Sequence, residues 1–186
     1  MNKSALIKKI VETLRDELAL YHKAALAAHA EATHEQSKAE NKYDTRGLEA
    51  SYLARGQSRQ AAEIAQSIEQ FEQLSAKAFT REDSIDLGAL VELKGKKERS
   101  IYFVGPRAGG TEVVHEKKEV LVITPQSPLG QQIMGRKEGD RLKVEIGGAR
   151  IEYTVETVSV ASHRVVNVGQ SRRLSVETEA PFGKRR

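Results

Sequence analysis

Residues 4–38 contain neither Gly nor Pro, and nothing constrains this chain more than that uninterrupted stretch. It is rich in Ala, Leu, Glu and Lys, all strong helix formers. Ile7, Val11, Leu14, Leu18, Tyr21, Ala25, Ala28 and Ala32 step by three or four, drawing one apolar stripe along a helix. At 41–47, NKYDTRG gathers the Asn, Asp, Thr and Gly of a turn. A second helical stretch runs from about Leu48 to Ala78, with Gly56 as its weak point and Ala61, Ile64, Ile68, Phe71 and Leu74 as its stripe. Two helices of about 35 and 30 residues joined by a short turn pack antiparallel, as a hairpin roughly 50 Å long. The stripe shrinks to alanine towards the turn. A plain coiled-coil spacer or dimerisation hairpin has no need of that taper, whereas a slim finger suits a narrow opening.

After Phe79 the period changes. TREDSID reads as a charged linker, and beyond it come short Val- and Ile-rich runs: Leu87–Leu93, Ile101–Val104, Val120–Thr124, Leu142–Ile146 and Ile151–Val158. Gly-Pro, Gly-Gly and Gly-Asp pairs punctuate them, and the stretch from Gly105 to Gly110 reads as a hairpin turn. Ser127-Pro128 before LGQQIMG predicts a two-turn helix with Ser127 as cap, Pro128 in first position and Gly135 closing it. The expected fold is α+β: an N-terminal antiparallel coiled-coil hairpin over 1–80 with its tip at about 40–47, then a five-stranded antiparallel sheet with one short helix over 81–162. Residues 163–186 form a tail expected to be flexible.

Charge narrows the function. Residues 1–80 hold eleven basic and eleven acidic side chains, and residues 81–162 hold thirteen of each. The whole net charge of +4 therefore sits in the tail, which has six basic and two acidic residues. A body of zero net charge is a poor autonomous DNA binder, because such binding draws mainly on phosphate neutralisation. With no cysteine there is no disulfide, thiol nucleophile or Cys-based zinc site. A cytoplasmic protein is expected, since the N-terminus has no signal-peptide core and no apolar run could span a membrane. His29 and His34 are five apart and face different sides of their helix, so they make no metal pair. The Gly-rich stretch at 105–110 lacks the Gly-Lys-Ser/Thr of a phosphate loop.

The stretch ITPQSPLGQQIMGRKEGDRLKVEIGGARIEYTVETV resembles the C-terminal domain of the GreA/GreB transcript-cleavage factors, an FKBP-like sheet domain with a similar SP–L–LG–GD–V signature. DLGALVELKG and RSIYFVGP resemble that domain's opening strands, and LRDEL stands where the family has LREEL in its first helix. The resemblance spans roughly 5–158 in the family's order, and it implies an accessory factor with no active site of its own. Such a factor, expected to be a monomer, binds bacterial RNA polymerase. Its sheet domain docks on the rim of the secondary channel, with Ser127, Pro128, Leu129 and Gly130 on the polymerase-facing side. Its hairpin enters the channel, where acidic residues at the tip help hold a second Mg²⁺ at the polymerase active site. The polymerase then cleaves backtracked RNA near its 3′ end. Mg²⁺ takes oxygen ligands, which is why this chemistry asks for carboxylates.

At the tip the chain departs from the family, whose pattern is an acid, two residues, Glu-Asn, then Ala-Glu-Tyr. Here the region reads SKAENKYDTRGLEASYLA. Matching Glu40-Asn41 to the family's pair puts Ser37 at the first acid, and counting from LRDEL puts Asn41 and Asp44 at the two positions. Anchoring on Ala50-Ser51-Tyr52 points to Asp44 and Glu49, with gaps. Glu40 and Asp44 are the preferred pair and Glu49 the alternative; all three are also ordinary solvated acids in a charged loop. Two further readings stay open. A non-cleaving homologue would occupy the same channel and modulate or inhibit the polymerase. An FKBP-like fold also admits a prolyl isomerase, but only Tyr102, Phe103 and Tyr153 could line such a pocket, and fold alone does not carry function.

Overall fold

The computed structural model describes residues 1–34, 45–96, 98–146 and 149–158. Helix α1 spans Lys3–Thr33 and opens on Asn2, whose side-chain oxygen accepts from the Ala5 N–H at 3.2 Å, a regular N-cap. Helix α2 spans Arg46–Gln73 and runs through Gly56, an exposed position with nothing near it. The two pair along the expected stripes: Leu6, Ile10 and Leu14 face Ile64, Ile68 and Phe71 near the base. Further out the buried residues are Ala28, Ala50, Ala54 and Ala61, so the taper is a property of the folded hairpin. The Arg46 guanidinium meets the Glu31 carboxylate at 2.7 Å and ties the end of α1 to the start of α2.

Six strands follow: β1 (Leu90–Lys94), β2 (Arg99–Val104), β3 (Glu112–His115), β4 (Lys118–Ile123), β5 (Arg141–Ile146) and β6 (Ala149–Val158), with α3 (Pro128–Ile133) between β4 and β5. Their order is β3-β4-β2-β1-β6-β5. The sheet differs from the expected one in two respects. It has a sixth strand, β3, which pairs with β4 across a turn where Glu116 and Lys117 both take positive φ. One pairing, β2 with β4, is parallel, while the other four are antiparallel. The segment 105–110 is therefore no hairpin turn: β2 and β3 are not neighbours, and the chain crosses the end of β4 between them. A run of only four residues, with polar Glu112 and His115 at its ends, offers too little alternation to read as a strand.

Side chains alternate across the sheet, and each face has its own core. On one face Tyr102, Val104, Ile123 and Val155 pack with Leu129 and Ile133 of α3 and with Phe79 and Ile85. On the other, Leu90, Phe103, Val113, Val120 and Val122 pack against the base of the hairpin. Hairpin and sheet thus share a core. The Phe71 and Phe103 ring centroids lie 6.2 Å apart, tilted by 30°. A Cβ at Gly105 would come within 2.7 Å of the Phe71 ring and 2.9 Å of Val122, so only glycine admits this wedge. The stretch expected as a linker is itself anchored. Phe79 and Ile85 are buried on either side of a turn in which the Asp83 carboxylate accepts from the Thr80 N–H (2.7 Å) and hydroxyl (2.9 Å). Those bonds hold the Asp83 carboxyl below its usual range.

Lys3 completes the junction. It is buried, and its ammonium donates to the carbonyls of Lys77 and, at 3.1 Å, Gly88. It also lies 4.4 Å from the centre of the Phe79 ring, within cation–π range. Burial, and secondarily the charge of Lys77, lower its pKa from 10.5 to about 8.

Phe71→Ala should lower stability by about 3–5 kcal/mol, the cost of emptying a fully buried aromatic site. Urea unfolding followed by helix and sheet signals should register the loss in both. Lys3→Met keeps the stem but leaves two carbonyls without their donor, and should cost about 1–3 kcal/mol at neutral pH. The folded pKa of Lys3 lies below the unfolded one, so the unfolded chain binds more protons between about pH 8 and 10.5. The contribution of Lys3 to stability therefore rises with pH across that window and is flat below it. Wild type should gain on Lys3→Met as the pH of the urea titrations is raised.

Candidate functional site

The hairpin's far end is the first candidate. Glu40 and Asp44 lie outside the described residues. Glu49 is exposed in the first turn of α2, where the helix dipole favours an acid. Its carboxylate accepts from the Thr45 hydroxyl at 2.7 Å, so it already supports the start of the helix. Among the described residues no group of three or more His, Asp or Glu could hold a metal. Glu49 by itself offers a single carboxylate, fewer than the set of oxygen ligands that Mg²⁺ takes.

The shaft behind the tip carries a feature that the stripes pass over. Seven large apolar side chains are exposed among the described residues, and five of them (Leu20, Leu26, Leu48, Tyr52 and Leu53) are on the distal hairpin. Because the seam is alanine, these side chains have no place inside it and point outward. By helix geometry Leu20 and Leu26 are about 120° apart around α1, and Leu48 and Leu53 about 140° apart around α2. They surround the shaft. The sequence does carry a signal for them, since each is apolar yet out of step with the Ala28 and Ala50-Ala54-Ala61 seam.

The second candidate is the corner between β4 and α3. The Ser127 hydroxyl donates to the Thr124 carbonyl at 2.7 Å and accepts from the Gly130 N–H at 3.0 Å, capping α3 as expected. Gly130 is held even more tightly, because a Cβ there would fall 1.9 Å from the Thr124 carbonyl oxygen. Leu129 is buried against the sheet. Of the four residues assigned to docking, Pro128 alone is exposed, with Ser127 half-buried and Leu129 and Gly130 shaping the corner from beneath. The surface presented beside Pro128 is Gln126, Gln131 and Gln132, residues whose exposure no sequence motif marks. Tyr102, Phe103 and Tyr153 do not share a pocket: Phe103 is in the core under the hairpin, and the two tyrosines are in the core on the opposite face.

Residues 80–160 match the family model described as transcription elongation factor, GreA/GreB, C-terminal. The sheet domain is similar to the C-terminal domain of GreA/GreB. No curated protein matches the chain. Among solved structures, GreA factor homolog 1 (Gfh1) of Thermus thermophilus is 23% identical over 80% of this chain and 94% of its own, with a TM-score of 0.33. Gfh1 of Thermus aquaticus is 25% identical over 81% and 94%, with a TM-score of 0.35. The divergent Gre-like character of the chain rests on the matched domain and its order behind a long helical hairpin.

Gly130→Ala should destabilise the Gre-like domain by about 3 kcal/mol, since the added methyl overlaps a backbone carbonyl. Ser127→Ala should cost only about 1 kcal/mol, the value of a cap. Thermal unfolding of both variants checks the ranking, and equal losses would contradict the role given to Gly130.

Proposed function

We propose that this chain is an elongation factor that binds bacterial RNA polymerase in the cytoplasm, docking through its sheet domain and passing its hairpin into the secondary channel. The family of the sheet domain supports the choice of partner. The observation that carries the mode of binding is the distal shaft, with its alanine seam and its outward Leu20, Leu26, Leu48, Tyr52 and Leu53. Clustered exposed apolar side chains mark a partner surface. A second hairpin would cover one stripe, whereas side chains set around the shaft fit a partner that encloses it.

On this reading the chain stimulates cleavage of backtracked RNA by the polymerase's own active site and acts on the RNA 3′ end only indirectly. Glu40 and Asp44, with Glu49 as the alternative, are the residues that would help hold a Mg²⁺ shared with the polymerase. When bound, that ion stabilises an attacking hydroxide and a leaving oxygen. What the chain supplies is carboxylate oxygen at the end of a slim lever whose base is fixed in the sheet's core. A second reading, occupancy of the channel without cleavage, is favoured by the tip sequence, in which no ungapped register aligns both acids, and by the engagement of Glu49 with Thr45.

RNA cleavage in a backtracked elongation complex separates the two. Under the first reading wild type stimulates cleavage, and Glu40→Gln or Asp44→Asn lowers the rate by a factor on the order of ten to a thousand, with little change in polymerase affinity. Raising Mg²⁺ should restore part of the rate by mass action. If Glu49→Gln is instead the damaging change, the alternative register is correct. Binding without cleavage at any Mg²⁺ concentration establishes the channel-occupying regulator. Independently, Leu48→Ser with Leu53→Ser should weaken polymerase binding while leaving thermal stability unchanged, because neither side chain is buried in the free protein. Unaltered affinity would overturn the role of the shaft.

A further inference from the structure

The sheet face that receives the hairpin is divided. Over β3, β4, β2 and the start of β1 it is apolar and covered. Towards the end of β1 and along the described side chains of β6 and β5 it is uncovered, with Lys94, Arg141 and Lys143 exposed. Strand register lines up Arg141 with Thr154, Thr154 with Lys94, and Lys94 with Arg99, one row across four strands. Such a row spans about 14 Å. Lys143 stands two residues along β5 from Arg141 on the same face, about 7 Å away. Lys96 sits beside Gly95 in the connection to β2, and a cleft of about 450 Å³ lies between that connection and β5.

Four carboxylates temper these five cations, the first being Glu92, two residues along β1 from Lys94 on the same face. Glu156 pairs with Lys94 at 3.4 Å and Arg99 at 3.0 Å, Glu152 pairs with Lys143 at 3.2 Å, and Glu98 stands near Tyr153. Lys96 and Arg141 have no ion pair among the described residues. Five cations against four carboxylates leave this end with one positive charge in excess, in a domain with thirteen acids and thirteen bases over 81–162.

We propose that this uncovered half of the sheet is a platform for the phosphate backbone of a nucleic acid, separate from the hairpin and from the corner at Pro128. Lysine, arginine and hydroxyl groups are the usual donors to phosphate, and Arg141, Lys96, Lys94, Lys143 and Thr154 provide that set. The spacing of Arg141 and Lys143 is comparable to that of successive phosphates along one strand. An acidic protein is the lesser fit: protein interfaces concentrate aromatic and apolar groups at their centre and deplete charge there. None of the large exposed apolar residues lies on this platform. Binding of this kind is independent of base sequence and is set by counterion release.

The test uses the full chain, a fluorescein-labelled oligonucleotide as single strand and as duplex, and anisotropy titrations between about 50 and 200 mM salt. Wild type should bind with an affinity that falls steeply with salt. Lys96→Gln with Arg141→Gln should weaken binding about ten-fold and reduce the slope of log affinity against log salt by about two. Arg172→Gln with Arg173→Gln measures what the basic tail adds, and should leave most of the platform's contribution in place. The platform is overturned if the Lys96/Arg141 variant binds like wild type, if the tail substitution alone abolishes binding, or if polyglutamate competes as well as unlabelled nucleic acid. The last result would identify an acidic protein as the ligand. Both substituted side chains are exposed, so thermal unfolding should match wild type. Should it not, Lys94→Gln with Lys143→Gln makes the same test at neighbouring exposed positions, and wild-type binding by that variant overturns the platform.

Discussion

The ring of Phe71 occupies the space that any side chain at position 105 would need, and through that contact the hairpin becomes part of the sheet's core. Helix–helix packing alone would leave two long helices tethered to a small domain by a turn. The shared cluster of Leu6, Ile10, Leu14, Ile68 and Phe71 with Phe103, Val120 and Val122 removes that freedom at the base. Lys3 closes the same junction from the side, binding carbonyls on both parts of the segment that leads into β1. A buried ammonium costs desolvation, and two carbonyl acceptors and an aromatic face offset only part of that cost, as the lowered pKa of Lys3 reflects.

A fixed base and a thin distal shaft divide the labour. The base buries large side chains and needs no partner. Beyond Ile64 the seam falls to Ala61, Ala54, Ala50 and Ala28, and each contributes far less burial than a leucine. The apolar groups that could have filled a thicker seam point outward instead. This arrangement gives up stability in the free protein and keeps the shaft narrow, and it is intelligible if the missing burial is regained against an enclosing partner.

The sheet follows a similar economy of faces. One is covered by α3, Phe79 and Ile85; the other is shared between the hairpin base and an uncovered cationic end. Alternation along each strand makes this possible, because Leu93 and Val155 can be core while Lys94 and Thr154, one residue away, face solvent.

Much of this protein was readable from local pattern. The Gly- and Pro-free run, the three–four stripes and the alanine taper define the hairpin, since helical periodicity is written within a few turns. The Ser127-Pro128 start and the glycine stop at Gly135 define α3 for the same reason. The SP–L–LG–GD stretch carries the family resemblance, and the matched domain bears it out. What sequence could not supply depends on contacts between residues far apart in the chain. Strand β3 is too short to announce itself and exists because β4 offers it a partner. The parallel pairing of β2 with β4 converts an expected hairpin turn at 105–110 into a crossing loop. Gly105 reads as punctuation, yet the approach of Phe71 is what requires it. Leu129 and Gly130 read as docking residues, and what only the fold shows is that both are buried, with a carbonyl 1.9 Å from a would-be Cβ at Gly130, while Pro128 is at the surface. Likewise Arg141, Lys94 and Arg99 are scattered along the chain and become one row only through strand register, because pairing is decided by the whole sheet and not by any strand within it.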